Sequence, residues 1–146
     1  MNEGRGEGVV LEPQRRIGYL LRRAQQLHVA AWSRIASTEI SSVQFSILAV
    51  LHQRGEASQR ELCDAVDLDR STMADLVARM ERRGLLERRR AADDARRNVV
   101  TLTEHGTAEY RRLDPLVVKV QESLVESMTA EEQAALRLGL EALLDD

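Results

Sequence analysis

Apolar positions repeat every three or four residues along most of the chain, which is the signature of amphipathic helices. The first stripe starts near Glu12, takes in Ile17, Leu20, Leu21, Ala24, Leu27, His28, Ala31 and Ile35, and ends near Ser37. A second helix is predicted from Ser41 or Ser42, through Phe45, Leu48, Ala49 and Leu51, to Gly55. Either serine can accept a bond from an orphan N–H at the helix start. Ser58-Gln-Arg-Glu61 has the spacing of a capping box and opens a short helix carrying Leu62, Ala65 and Val66. After a break at Asp67–Asp69, another helix is expected from about Arg70 to Arg83, stopped by Gly84.

The period then changes. Leu85–Arg90 and Arg96–Leu102 flank the polar segment Ala91–Ala95, which predicts two short strands joined in a hairpin with a charged tip. Thr103 opens a long helix through Leu113, Val117, Val120, Leu124 and Met128, with Pro115 near its middle expected to bend or divide it. Thr129-Ala-Glu-Glu132 is a second capping-box spacing, ahead of a last helix with Leu136, Leu140, Leu143 and Leu144. Residues 1–11, with Gly4, Gly6 and Gly8 and no periodicity, read as a flexible tail. The fold class expected is therefore mainly α with a small β-hairpin.

Length fits one domain: 146 residues, 43% of them hydrophobic, suffice for a core. No apolar run reaches the roughly 18–20 residues of a membrane span, and no secretory signal is present. A cytoplasmic protein is expected. The net charge of −3 argues against a nucleic-acid partner only until it is resolved along the chain. Between Arg79 and Arg97 eight arginines face four acids, a balance of +4, whereas Gln121–Asp146 carries −6. Salt screens charge beyond about 10 Å, so these local poles matter more than their average.

The helices at 58–66 and 70–83, separated by a three-residue turn, form a candidate helix-turn-helix. In the second of them Met73, Leu76, Val77 and Met80 make the inward face, leaving Arg70, Ser71, Thr72, Asp75 and Arg79 outward. Short hydroxyls and arginines near an exposed helix start suit a major groove, where they reach base edges and phosphates. An ordinary solvated face is the alternative. The hairpin favours the first reading, because Arg88, Arg89 and Arg90 precede its tip and Arg96 and Arg97 follow it. An arginine there can enter a minor groove. The alternative is a solvated hairpin whose arginines pair with Asp93 and Asp94; a fork-shaped pair between Asp94 and Arg96 is compatible with either reading.

Four ordered stretches carry a resemblance. Ser42-Val-Gln-Phe-Ser-Ile-Leu-Ala-Val-Leu51, the run from Ser71-Thr-Met to Gly84-Leu-Leu, Asp94-Ala-Arg96, and Val100-Thr-Leu-Thr103-Glu-His-Gly106 resemble the MarR family of bacterial winged helix-turn-helix regulators. The resemblance covers about residues 12–144. It implies a single domain over 12–146, with a winged lobe at about 41–103 and dimerisation helices at about 12–37 and 103–144. It also implies a homodimer on a pseudo-palindromic operator of double-stranded DNA, a transcriptional repressor with no cofactor. Asp94 and Arg96 then fall on the wing motif, and Ser71 and Thr72 on the start of the recognition helix. Asp75 departs from expectation, since an acid repels phosphate; accepting from a cytosine amino group or orienting Arg79 are its two readings. Unpartnered apolar stripes in the terminal helices independently call for a second chain, with Leu113–Met128 and Leu136–Leu144 as interface candidates.

Members of this family often release DNA on binding a small aromatic or phenolic anion. The resemblance directs attention to Trp32, His28, His52 and one of Arg16 or Arg23 as an aromatic platform, hydrogen-bonding groups and a cation. Equally, Trp32 can be a plain core anchor. Cys63 lies where a small packed residue is expected, and no cysteine precedes it, unlike relatives that sense oxidants through a first-helix thiol. His28, His52 and His105 show no metal spacing. No Ser/His/Asp order or Gly-rich phosphate loop suggests an enzyme. A winged-helix interaction module without DNA binding is the competing class.

Overall fold

A computed structural model describes residues 12–145, so the expectation for residues 1–11 lies outside the described residues. Pro13–Arg15 form one 3₁₀ turn, and Arg16 is extended before helix α1 (Ile17–Ile35). The first stripe thus becomes helical five residues later than its apolar pattern suggests. Helix α2 (Ser42–Arg54) begins as expected: Ser41 Oγ accepts the Gln44 N–H, and the Gln44 side chain accepts the Ser41 N–H at 3.0 Å.

Helices α3 (Gln59–Val66) and α4 (Arg70–Arg82) are joined through Asp67, which takes the left-handed conformation at φ 54°. Asp is one of the few non-glycine residues that visits this region at modest cost. The hairpin is made of β2 (Leu86–Arg90) and β3 (Asn98–Leu102), antiparallel, with Leu86 opposite Leu102 and Arg90 opposite Asn98. A third strand, β1 (Glu56–Ala57), pairs with the other edge of β3, giving the order β1-β3-β2. Two residues carry too little pattern to announce a strand. Its presence anchors the hairpin to the end of α2.

The core lies where α2, α3, α4, the sheet and α5 (Glu104–Val125) meet, and is built from Ile47, Leu48, Leu51, Leu62, Met73, Val77, Met80, Leu86, Val100 and Leu113. Burying each such side chain stabilises the fold by about 1.5–3 kcal/mol. The junction of sheet and α5 is tight. Thr103 Oγ1 donates to the Gly84 carbonyl, and the Thr103 N–H donates to the Leu85 carbonyl at 3.1 Å. A Cβ added at Gly106 would stand 2.0 Å from that Leu85 oxygen, so only glycine fits. Gly84, at φ +73°, makes the turn out of α4.

Pro115 neither ends nor divides α5, which runs unbroken over 22 residues. Arg111, whose carbonyl loses its partner, and Pro115 are both exposed residues on the solvent side of the helix, while Leu113 and Val120 clamp it from the buried side. That clamping also corrects part of the interface expectation: Leu113 and Val120 belong to the protomer's own core. Helix α6 (Ala130–Leu144) follows a full capping box at Thr129 and Glu132. It has no buried residue, and Leu138 and Leu144 are 66% and 78% exposed.

Candidate nucleic-acid interface

Helix α4 turns Met73, Val77 and Met80 into the core and leaves Arg70, Ser71, Thr72, Asp75 and Arg79 on the surface. Its start is more organised than the pattern shows. Asp69 caps it, accepting the Thr72 N–H at 3.1 Å and the Ser71 hydroxyl at 2.5 Å on Oδ2, and the Thr72 hydroxyl on Oδ1. These bonds hold the Asp69 carboxyl well below the usual carboxylate range, the Ser71 hydroxyl contributing most. Asp75 Oδ2 lies 3.2 Å from Arg79 Nε, one turn on, so the acid on the outward face orients an arginine.

The wing arginines fall into two groups. Arg88 pairs with Glu81 of α4 at 3.3 Å, and Arg89 with Glu56 of β1 at 3.8 Å. Arg97 pairs with Glu61 of α3 at 2.6 Å and with Asp93 at 3.6 Å. Arg88 and Arg97 fasten the hairpin to the helix-turn-helix, and Arg89 fastens it to β1. Arg70, Arg90 and Arg96, by contrast, are exposed and enter no ion pair among the described residues. The fork-shaped Asp94–Arg96 pair does not form. Asp94 Oδ1 instead accepts the Arg96 backbone N–H at 3.0 Å, and its carbonyl accepts the Arg97 N–H at 3.1 Å. Asp94 shapes the turn and leaves the Arg96 guanidinium free. The Arg97 pair also explains why Ser58 makes only half a capping box: the Glu61 N–H donates to Ser58, but its carboxylate is drawn to the wing.

A cavity of about 280 Å³, open to solvent, lies between α1, α2 and α5. His28 and Trp32 line it, together with Phe45, Val117 and Gln121. Ser42, Val43 and Ser46 complete the wall. Arg16, Arg23 and His52 do not line it. Arg16 precedes α1 as its cap residue, Arg23 donates to Gln26 at 2.6 Å, and His52 stacks on Tyr110 at 4.2 Å. Tyr110 stacks in turn on Phe45 at 5.6 Å, so His52 reaches the cavity only through two rings. A second opening of about 240 Å³ beneath the wing is lined by Gln59, Arg88, Asn98, Val99 and Val100 and has no aromatic wall.

The cavity is tied to α4. The Trp32 indole N–H donates to the Ile40 carbonyl at 2.7 Å, and Arg83, which caps the C-terminus of α4, donates to the neighbouring Glu39 carbonyl at 2.7 Å. Two consecutive backbone carbonyls thus join a cavity residue to the end of α4. Cys63 is partly buried against the core, and no His/Cys/Asp/Glu group suited to a metal occurs among the described residues. No helix of the described residues is long and apolar enough to cross a membrane.

Two adjacent helices with an exposed second member, followed by an arginine-bearing hairpin, define a winged helix-turn-helix protein. The sequence model of the MarR family matches residues 40–97. The chain is 32% identical over 130 residues to the HTH-type transcriptional repressor NicR of Pseudomonas putida, covering 88% of this chain and 82% of NicR. It is similar in structure to the PcaV transcriptional regulator of Streptomyces coelicolor, solved with its natural ligand (TM-score 0.83, 33% identity, 92% and 95% of the two chains). Bordetella bronchiseptica BpsR, whose DNA binding is regulated by 6-hydroxynicotinic acid, matches at TM-score 0.85 and 27% identity over 94% and 99%. The chain belongs to the MarR family and is a transcriptional regulator of that family.

Proposed function

We propose that this regulator is a homodimeric repressor that grips a pseudo-palindromic operator and releases it when a small hydroxylated aromatic acid enters the cavity at His28 and Trp32. The observation that carries the DNA reading is the pairing pattern of the arginines. Arg88, Arg89 and Arg97 are neutralised in place, while Arg70 at the exposed α4 start and Arg90 and Arg96 at the hairpin tip enter no ion pair among the described residues. In this reading Arg70, Ser71, Thr72 and Arg79 enter the major groove and Arg96 enters the adjacent minor groove. Arg90 neutralises phosphate, and Asp75, Asp94, Arg89 and Arg97 hold the contacting groups in position.

The functional unit spans residues 12–146, the winged lobe at about 41–103 reading DNA and the flanking helices joining two copies. Two recognition helices must stand about 34 Å apart to meet successive major grooves, so a small rotation of one lobe costs affinity. An effector carboxylate fits the first turn of α2, where the N–H groups of Ser42 and Val43 have no intrahelical acceptor and the helix dipole favours an anion. Its ring fits against Trp32 and Phe45, which sit 5.8 Å apart. Displacement of Trp32 then acts on α4 through the Ile40 and Glu39 carbonyls and Arg83. Repression is supported by the likeness to NicR, and an aromatic-acid effector by the likeness to BpsR.

The deciding experiment is selection of bound duplexes from a random pool, repeated with hydroxylated benzoic and nicotinic acids. A motif of two inverted half-sites about 10 base pairs apart, lost on addition of one of the acids, is expected. Enrichment of no motif overturns the DNA reading; a motif indifferent to every acid overturns the effector reading.

A further inference from the structure

The hydrogen bonds at the start of α4 have a direction, and it limits what the recognition helix can read. Asp69 takes the Ser71 hydroxyl on Oδ2 and the Thr72 hydroxyl on Oδ1, and the Thr72 N–H as well. An ionised carboxylate is an acceptor only, so each hydroxyl must be the donor in its bond. A hydroxyl has one proton. With that proton turned toward Asp69, Ser71 and Thr72 present only lone pairs to whatever lies in front of the helix. All three residues are exposed, so nothing within the protein takes up those lone pairs among the described residues.

Most groups that DNA offers in return are acceptors: phosphate oxygens, guanine O6 and N7, adenine N7 and thymine O4. The major-groove donors are the N6 amino group of adenine and the N4 amino group of cytosine. We infer that Asp69 is a specificity-positioning residue: by holding the protons of both hydroxyls, it makes Ser71 and Thr72 select amino bases over keto bases. This rests on the reading of α4 as the DNA-reading helix. Serine and threonine are ordinarily ambivalent readers, able to donate or accept. Here their polarity is fixed by an acid whose two oxygens are both engaged by the helix start. The clamped hydroxyls also cannot anchor phosphate, which leaves that task to cations such as Arg90.

The test is selection from a random duplex pool with the full chain and with Ser71→Ala, Thr72→Val and Asp69→Asn, each first checked for a cooperative thermal melt. Ser71→Ala and Thr72→Val locate the readings, each flattening one position in every half-site. At those positions the unsubstituted protein is expected to favour adenine or cytosine about 3- to 10-fold over guanine or thymine, the worth of one neutral hydrogen bond. Asn caps helices as well as Asp. Its amide, however, sets an N–H₂ donor against one hydroxyl and turns that proton outward. Asp69→Asn is therefore expected to erase or reverse the preference at one located position. Guanine or thymine preferred there by the unsubstituted protein overturns the inference, as does an unchanged amino preference in Asp69→Asn. A uniform loss of affinity in Ser71→Ala and Thr72→Val, with no position flattened, overturns it too, since that marks phosphate contact. If the unsubstituted protein enriches no motif, the DNA reading falls with it.

Discussion

The winged lobe and the last helix are both rich in leucine, and the fold treats them oppositely. In the lobe Leu62, Met73, Val77 and Met80 are fully buried, each facing a neighbour from the same chain. In α6, Leu136, Leu138, Leu140, Leu143 and Leu144 are all exposed. An isolated helix of about 15 residues is marginal in water, because nucleation is costly and only packing repays it. The lobe's apolar faces are covered within the same chain, with α1 and α5 contributing; α6, with the exposed Ile17, Leu20 and Leu21 of α1, is left uncovered in the protomer. Both regions carry an apolar stripe. What differs is whether the chain folds something back against the stripe.

The sharpest way to break this contrast is to charge α6. Leu136→Asp with Leu143→Asp is expected to convert a dimer into a 16.4 kDa monomer in light scattering, with the lobe still folded. Losing the second half-site should weaken operator binding by about 100-fold or more. A dimer that survives places the interface elsewhere. Within the lobe the corresponding probe is Gly106→Ala, whose added carbon collides with the Leu85 carbonyl. Overpacking of that kind costs about 1–3 kcal/mol, read as a drop of several degrees in Tm without dissociation.

The wing offers a finer contrast between a free and a fastened arginine. Arg96→Ala is expected to weaken operator binding roughly tenfold and to lower the salt slope by about one. Arg97→Ala, which removes a half-exposed pair, should instead cost about 1 kcal/mol or less of stability and leave that slope nearly intact. If both variants lose the same slope, the division of the arginines is wrong. Arg83→Ala, which cuts the bond to the Glu39 carbonyl, should raise the effector concentration needed for release by about fivefold. Equal sensitivity to effector would remove Arg83 from the coupling.

The smallest effect is in acid. Asp69 and Glu109 are both held below the ordinary carboxylate range, by the Ser71 hydroxyl and the Arg112 guanidinium respectively. A depressed carboxyl stabilises the fold above its unfolded pKa of about 4 and loses that contribution as pH falls toward the folded value. The Tm difference between the protein and Asp69→Asn should therefore shrink from neutral pH toward acid. A constant difference would assign Asp69 no charge-dependent role.

Several elements were legible along the chain because their signals are local. The Ser41 and Thr129 caps, the helix-turn-helix break and the two hairpin strands each depend on residues within a few positions of one another. Strand β1 was not legible, since its only support is pairing across to β3. Pattern alone left open whether Pro115 bends or divides α5; burial of Leu113 and Val120 keeps it undivided. At the interface, the arginine list was readable but its division was not. Arg97 meets Glu61 across 36 positions of sequence, and no spacing rule joins them.

The sequence alone determined where the side-chain-capped helices begin, which faces are apolar, and that charge is concentrated in a basic central segment and an acidic end. It did so because capping, periodicity and charge are properties of neighbouring residues. Only the tertiary structure decided which arginines remain free, which residues line the cavity beside His28 and Trp32, and which leucines lack a partner in the protomer. Those depend on distances between segments far apart in the chain, which close only when the core forms.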